Sequence, residues 1–455
     1  MTSNPISLVC VVLWTAVAVA APAVANTEMQ NLWDDPEFQK QFLGTYGVNA
    51  EIEPRVTAVE REQMEKLIKL LASDLKAAQA QLERLAKPDA SAVFDFTLGN
   101  VYFQQNMLTN AAAAYRQAIS KFPSFQRAHK NLAIISIRLG DFPQAIRSFT
   151  RMIELGGGDG LSFGLLGLAY LQTGEFLSAE SAYRNAILLQ PENLDWRLGL
   201  ARSLFRQQKY HEAAQLCEEL IRRNPHRADF WLLQANAFIG MREARRAAEN
   251  FELVRRLGGA TVEMLNTLGD IYVNEGIWDM AANSYREALR LKPDQPATRP
   301  LRNVEVLAVR GAIAEARALL TELEQVIGNR LNDVEKKRAL QLHARIAVAE
   351  GRGDDAVRVL QELVTLDPLD GEALLLLGQH YARQGDTERA MFYYERAQNL
   401  EKHEAEARLR RAQLLVSQAK YNEAVPLLRR AQELQPRESV ARYLDQVERL
   451  ARARR

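Results

Sequence analysis

Small and apolar residues return along this chain at an interval of 34 residues. Within residues 160–193 they run Leu166, Gly167, Tyr170, then Gly174, then Ala179, Tyr183, Ala186 and finally Pro191. A period of this length is the signature of stacked helix pairs, and it takes precedence over any other reading of the fold. Gly167, Ala179 and Ala186 let two antiparallel helices approach closely, and Leu166, Tyr170 and Tyr183 fill the space between them. Gly174 sits at the turn, where a residue without Cβ leaves the helix with positive φ. Pro191 ends the second helix because proline cannot continue the hydrogen-bond ladder. One such pair cannot bury its apolar stripe alone, so neighbours must stack into a quasi-one-dimensional array.

The register predicts ten pairs. Units open at Ala92, Gln126, Gly160, Leu194, Ala228 and Val262, slip near Ala297, and resume at Lys337, Gly371 and Ala405. Pro123, Pro191, Pro225, Pro293, Pro368 and Pro436 close units, with Gly157 and Gly259 in the same place elsewhere. The seventh unit is degenerate: Gly311 and Ala316 fit, but residues 327–336 exceed the period by about a turn of helix. Outside the pairs, a 3.6-period stripe of Met64, Leu67, Leu70, Leu71, Leu75, Ala78 and Leu82 predicts one long helix over 58–85. Residues 439–455, with Val440, Tyr443, Leu444, Val447 and Leu450 on one stripe, predict a closing helix.

These residues resemble the tetratricopeptide repeat (TPR) consensus, W-x2-L-G-x2-Y…A-x3-F-x2-A…P, over about four-fifths of the chain. The resemblance implies an all-α, right-handed superhelical solenoid of about ten helix pairs with N- and C-terminal capping helices. The expected divisions are a signal peptide (1–25), an N-terminal segment and capping helix (26–91), units one to six (92–295), degenerate unit seven (296–336), units eight to ten (337–438) and a C-terminal capping helix (439–455). The resemblance also implies a non-enzymatic scaffold whose concave groove, lined from the second, fifth, ninth and twelfth positions of each first helix, holds a protein or peptide partner. In the first four units those positions include Phe96, Asn100, Phe103, Arg127, Lys130, Ile134, Leu168, Leu171, Arg202 and Phe205, an apolar track with cations. Units five and six present Asp229, Asn236, Glu263, Asn266 and Asp270, an acidic and amide track. Asn100 and Asn131 match the two asparagines of the carboxylate clamp in chaperone-binding TPR domains. The clamp's cationic places hold Phe96, Leu161 and Leu165, so that activity does not carry over.

Two features place the scaffold. Residues 6–21 are uniformly apolar or small, and Ala23-Val24-Ala25 forms an A-x-A cleavage site before Asn26, as in a secretory signal peptide. The run is shorter than a membrane span needs, so no span is expected after cleavage and a periplasmic location follows; an uncleaved N-terminal anchor is the alternative. Residues 31–38 (NLWDDPEF), 42–48 (FLGTYGV) and Glu53-Pro54 resemble the N-terminal region of periplasmic TPR proteins that accompany TonB–ExbB–ExbD-type transport systems. An adapter for exopolysaccharide export or for pilus or outer-membrane assembly is the rival expectation. Trp33, Phe38, Phe42 and Tyr46 fall near helical spacing and predict either a cap over the first unit or a docking segment.

Composition removes other classes. Lys and Arg total 58 against 57 Asp and Glu, a formal charge of +1, which gives no global attraction to nucleic acid. The six histidines are scattered, none with a second ligand at i+4 or a cysteine pair nearby, so neither a metal nor a cofactor site is expected. The GGGDG run at 156–160 lacks the Lys-Ser/Thr of a phosphate loop. Cys217 takes the large-residue place of a second helix and reads as a small buried hydrophobe.

Overall fold

The sequence period is the distance between helix starts. In the computed structural model, which describes residues 52–453, the first helices of pairs one to six begin at Ala92, Gln126, Gly160, Leu194, Ala228 and Val262, as the register predicts. The expected signal peptide and residues 26–51, with Trp33, Phe38, Phe42 and Tyr46, lie outside the described residues. Every element among the described residues is helical. Helices α1 (Ala58–Ser73) and α2 (Leu75–Leu85) precede the array. Pairs one and two are α3 (Ala92–Gln104) with α4 (Leu108–Lys121), and α5 (Gln126–Arg138) with α6 (Phe142–Glu154). Pairs three and four are α7 (Gly160–Thr173) with α8 (Phe176–Leu189), and α9 (Leu194–Arg206) with α10 (Tyr210–Arg223). Pairs five and six are α11 (Ala228–Gly240) with α12 (Ala244–Arg256), and α13 (Val262–Asn274) with α14 (Trp278–Leu291). Pairs seven and eight are α15 (Thr298–Val309) with α16 (Ile313–Ile327), and α17 (Asp333–Ala349) with α18 (Gly353–Leu366). Pairs nine and ten are α19 (Gly371–Arg383) with α20 (Thr387–Gln398), and α21 (Glu404–Ser417) with α22 (Tyr421–Leu434); α23 (Glu438–Ala453) follows. The chain divides into two compact units, one through Leu216 and one from Cys217.

Packing inside a pair is set at the eighth position of its first helix. A Cβ built on Gly99 would stand 2.6 Å from the Tyr115 ring, and one on Gly167 would stand 3.0 Å from Tyr183. The rings of Tyr285 and Tyr394 cross Gly269 and Gly378 in the same way. Wherever the matching place in the repeat is Ala, the residue sixteen places on is not Tyr: Ala133 is followed by Phe149, Ala235 by Phe251, Ala344 by Leu360 and Ala412 by Leu428. The tyrosine also reaches forward. A Cβ on Gly199, in pair four, would overlap the Tyr183 ring of pair three.

Each of the ten pairs turns on one residue with φ between +60° and +87°. Six are glycines, Gly174 among them, and four are Asn106, Gln208, Arg242 and Ala419. The left-handed conformation crowds Cβ against the following carbonyl, which is why glycine prevails there.

Three expectations are corrected. The helix expected over 58–85 is two helices, broken at Asp74, which has φ −146° and ends α1 while capping α2. Its Oδ1 accepts the Lys76 and Ala77 N–H groups at 3.0 Å each, satisfying donors that the first turn of a helix leaves open. Pair eight begins before Lys337. A 3-10 turn, Gly328–Arg330, follows α16, and α17 starts at Asp333 under a capping box of Asn332 and Glu335. On α23, Val440 and Val447 are buried as expected, but Leu450 is exposed and Ala451 takes the buried place eleven residues after Val440.

In the N-terminal unit α1 and α2 bury Met64, Leu67 and Leu82 against Val93, Phe94, Leu98 and Val101 of α3. In the C-terminal unit α23 lays Val447 against Ala412, Leu415, Ala424 and Leu428 of pair ten.

Candidate functional site: the first-helix face of the N-terminal unit

Helices α5, α7 and α9 lie side by side. Five of the eleven residues expected to line a groove on this layer are buried: Phe96, Asn100, Phe103, Asn131 and Ile134. The other six, Arg127, Lys130, Leu168, Leu171, Arg202 and Phe205, are partly exposed.

Three of the buried five, Phe96, Asn100 and Asn131, are held by aromatic residues in and next to pair one. Phe96 is 1% exposed, with ring centroids of Phe125 at 4.8 Å and Tyr115 at 5.6 Å and the Arg127 guanidinium 5.4 Å above its face. Because Gly99 lets Tyr115 cross α3, the Tyr115 hydroxyl donates to Asn100 Oδ1 at 2.6 Å. The Asn131 amide donates to Asn100 Oδ1 at 3.2 Å and to the Tyr115 oxygen at 3.3 Å. The two asparagines singled out by the clamp comparison are therefore brought together, and they bind each other through a buried tyrosine. Satisfied networks of this kind fix a unique packing.

Arg127 meets a residue that the repeat pattern cannot point to. Its Nε and Nη2 donate to the two carboxylate oxygens of Glu53 at 2.6 and 2.7 Å, a bidentate pair with side chains 20% and 13% exposed. Beside it the Gln126 N–H, an unpaired donor of the first turn of α5, points at the Ile52 carbonyl at 3.4 Å. Lys130 pairs with Asp159 at 2.7 Å, and Asp159 caps α7 by accepting the Ser162 N–H at 2.7 Å. Burial raises the Asp159 carboxyl, and Lys130 and Ser162 outweigh it and hold it below the usual range.

Farther along, the face is more open. Leu168 packs on the core of pairs one to three, and Phe205 lies 5.5 Å from the Tyr210 ring. Trp196, absent from the expected lining, lies across Gly164, where a Cβ would stand 2.5 Å from the indole; its Nε1 donates to Gln190 at 2.9 Å. Glycine at a lining position was the available signal for a large neighbour.

In the C-terminal unit three residues of the expected acidic and amide track, Asp229, Asn266 and Asp270, are engaged by side chains outside it. Asp229 accepts from Arg227 at 2.6 Å, and Asp270 accepts from Arg299 at 2.6 Å and from the Tyr285 hydroxyl at 2.7 Å. The Asn303 amide donates to Asn266 at 2.6 Å. Arg338 and Glu305 continue the pattern at 2.6 Å, and Arg345 reaches Glu372 at 3.4 Å. Among the described residues no group of His, Cys, Asp and Glu could hold a metal ion, and no helix is long and apolar enough to cross a membrane.

Two curated relatives share parts of the sequence. Protein FlbA of Caulobacter vibrioides is 28% identical over 169 residues, covering 36% of this chain and 28% of that protein. Cellulose synthase operon protein C of Pseudomonas fluorescens is 22% identical over 303 residues, covering 62% of this chain and 23% of that protein. The chain thus spans 28% and 23% of the length of these relatives. Among solved structures, a tetratricopeptide repeat protein from Parabacteroides merdae is 20% identical, with a TM-score of 0.37 over 55% of this chain and 98% of that one. The family model described as Tetratricopeptide repeat matches residues 96–160, 165–228, 232–296 and 342–407, and a second model of that description matches 405–438. The chain belongs to the tetratricopeptide repeat family.

Proposed function

We propose that this chain is a periplasmic, non-enzymatic scaffold that holds a protein or peptide segment on the first-helix face of its N-terminal unit, within a cell-envelope transport machine. Tetratricopeptide repeat arrays are scaffolds that bind protein or peptide partners. The observation that carries the proposal is the partly exposed stretch of Leu168, Leu171, Trp196, Arg202 and Phe205, apolar with a cation at its edge. Apolar surface with a few placed polar groups is what a recognition site needs. An accessory role in a TonB–ExbB–ExbD-type system draws on the resemblance of residues 31–38, 42–48 and Glu53-Pro54. The second reading, export of an exopolysaccharide, draws on the Pseudomonas fluorescens relative, whose alignment covers 62% of this chain.

The test places a photo-cross-linking amino acid at Leu171 or Phe205 in the producing cell and identifies the adduct. A TonB, ExbB or ExbD protein supports the first reading, and a component of a polymer export machine supports the second. Adducts to cytoplasmic proteins alone would refute the envelope assignment. N-terminal sequencing of the purified protein checks the location independently: export with cleavage predicts a chain that begins at Asn26.

A further inference from the structure

We infer that the segment held on the first-helix face of pairs three and four carries a side-chain carboxylate between two apolar residues, and that Arg202 reads it. This rests on the scaffold reading and names the chemistry of its occupant. Arg202 and Phe205 are the ninth and twelfth residues of α9, one turn apart, so their side chains share a face. Leu168 and Leu171 hold the same places on α7, which packs beside α9. The four side chains form one patch two helices wide, and all four are partly exposed.

The charges on this layer single out one residue. In the N-terminal unit the first helices carry Lys and Arg only on α5 and α9. On α5, Arg127 is clamped by Glu53, and Lys130 is paired with Asp159. On α9, Arg197 donates to the Pro191 carbonyl at 3.0 Å, and the Arg206 guanidinium lies 4.7 Å from the centre of the Phe176 ring. Arg202 makes no ion pair, hydrogen bond or ring contact with the described residues. Its surroundings are partly dry: Leu198, one turn before it, is 1% exposed, and Phe205 follows one turn after. A guanidinium half withdrawn from water without an anion is unfavourable, and a carboxylate is the partner that its planar fork fits.

Pair two holds such a match already. Residues 52–57 are not helical, and within them Glu53 meets Arg127 through both carboxylate oxygens, at 2.6 and 2.7 Å. An arginine of this layer thus binds a side-chain carboxylate from a non-helical segment, which favours the same kind of segment over a chain end at Arg202. In an extended segment alternate side chains share a face about 7 Å apart. Packed helices lie about 8–10 Å apart. A carboxylate on Arg202 therefore sets the residues two places to either side over Leu168, Leu171 or Phe205. The expected pattern is apolar, any, acidic, any, apolar.

The test uses the full chain and synthetic pentapeptides blocked at both ends, with Leu at the first and last places, Ser at the second and fourth, and Glu or Gln at the centre. NMR titration of the peptide signals gives each dissociation constant. The Glu peptide should bind about tenfold or more tighter than the Gln peptide, and added salt should narrow the gap. Arg202→Gln, with an unchanged thermal melt, should remove the preference, and Arg202→Lys should keep part of it. Equal binding of the two peptides, binding of neither, or a preference that survives Arg202→Gln overturns the inference. So does tighter binding of the Gln peptide once its C-terminal carboxylate is left free, which would assign Arg202 to a chain end. Self-association of the chain that Arg202→Gln abolishes would assign the patch to a second copy and also overturn it. In each of these cases partner cross-linking at Leu171 and Phe205 still decides the scaffold reading.

Discussion

The tyrosine–glycine contact is the smallest unit of specificity in this fold, and it predicts a non-additive effect. Gly269→Ala pushes a methyl group into the Tyr285 ring and should lower stability by about 1–3 kcal/mol. Tyr285→Phe alone removes the hydrogen bond to Asp270 and should cost about 0.5–1.5 kcal/mol. Together they should cost less than the sum, by on the order of 1 kcal/mol, because a phenyl ring untied from Asp270 can shift away from the added methyl group. Urea unfolding of the three variants measures the coupling, and strict additivity would contradict it. At the turns, Gln208→Gly and Arg242→Gly should each raise stability by about 0.5–1 kcal/mol by relieving a left-handed backbone, seen as a higher melting temperature. The small residues were legible in the sequence because the period repeats them. The left-handed φ at Gln208 and Arg242 was hidden, since nothing in a polar side chain announces it.

Among elements, Glu180 joins α8 to the segment that leads from α9 into α10. Burial raises its carboxyl, but hydrogen bonds from Arg184, Gln207 and Lys209 outweigh that and hold it at about 2. A carboxyl depressed in the folded state adds stability above its unfolded pKa of about 4.3 and loses it as pH falls through the folded value. Between pH 5 and pH 2 the parent should therefore lose more stability than Glu180→Gln, by on the order of 1–3 kcal/mol, as read by denaturant titration at each pH. An identical acid profile for the two would remove Glu180 from the account. The starts of the first helices were legible to the residue in pairs one to six. The break at Asp74 was not, because Leu71, Leu75 and Ala78 carry the apolar stripe straight through it. The α16–α17 connection shows the converse: the excess length was visible, but its division between a 3-10 turn and an early helix start depends on capping by Asn332 and Glu335.

For the molecule as a whole, the sequence located the face and misjudged its depth. Helix register says which side chains share a face, whereas what lies over them is decided by residues far away in the chain. Glu53 stands 74 residues before Arg127, at no multiple of the repeat. Phe96 accordingly behaves as core: Phe96→Ala should cost about 3–5 kcal/mol, while Leu171→Ala, at the more open end, should cost less. Comparing their unfolding midpoints checks this, and equal small losses would restore pair one to the exposed surface. The forward reach of Tyr183 bears on how such a chain can grow. Its ring fits over Gly199 in the next pair, whereas the matching place in its own pair holds Leu165. A tandem duplication of pair three would set Tyr183 against a second Leu165, so a copied repeat does not fit behind its own template. The order of the pairs is thus written into the joints, and new repeats must change at both positions before the array can lengthen.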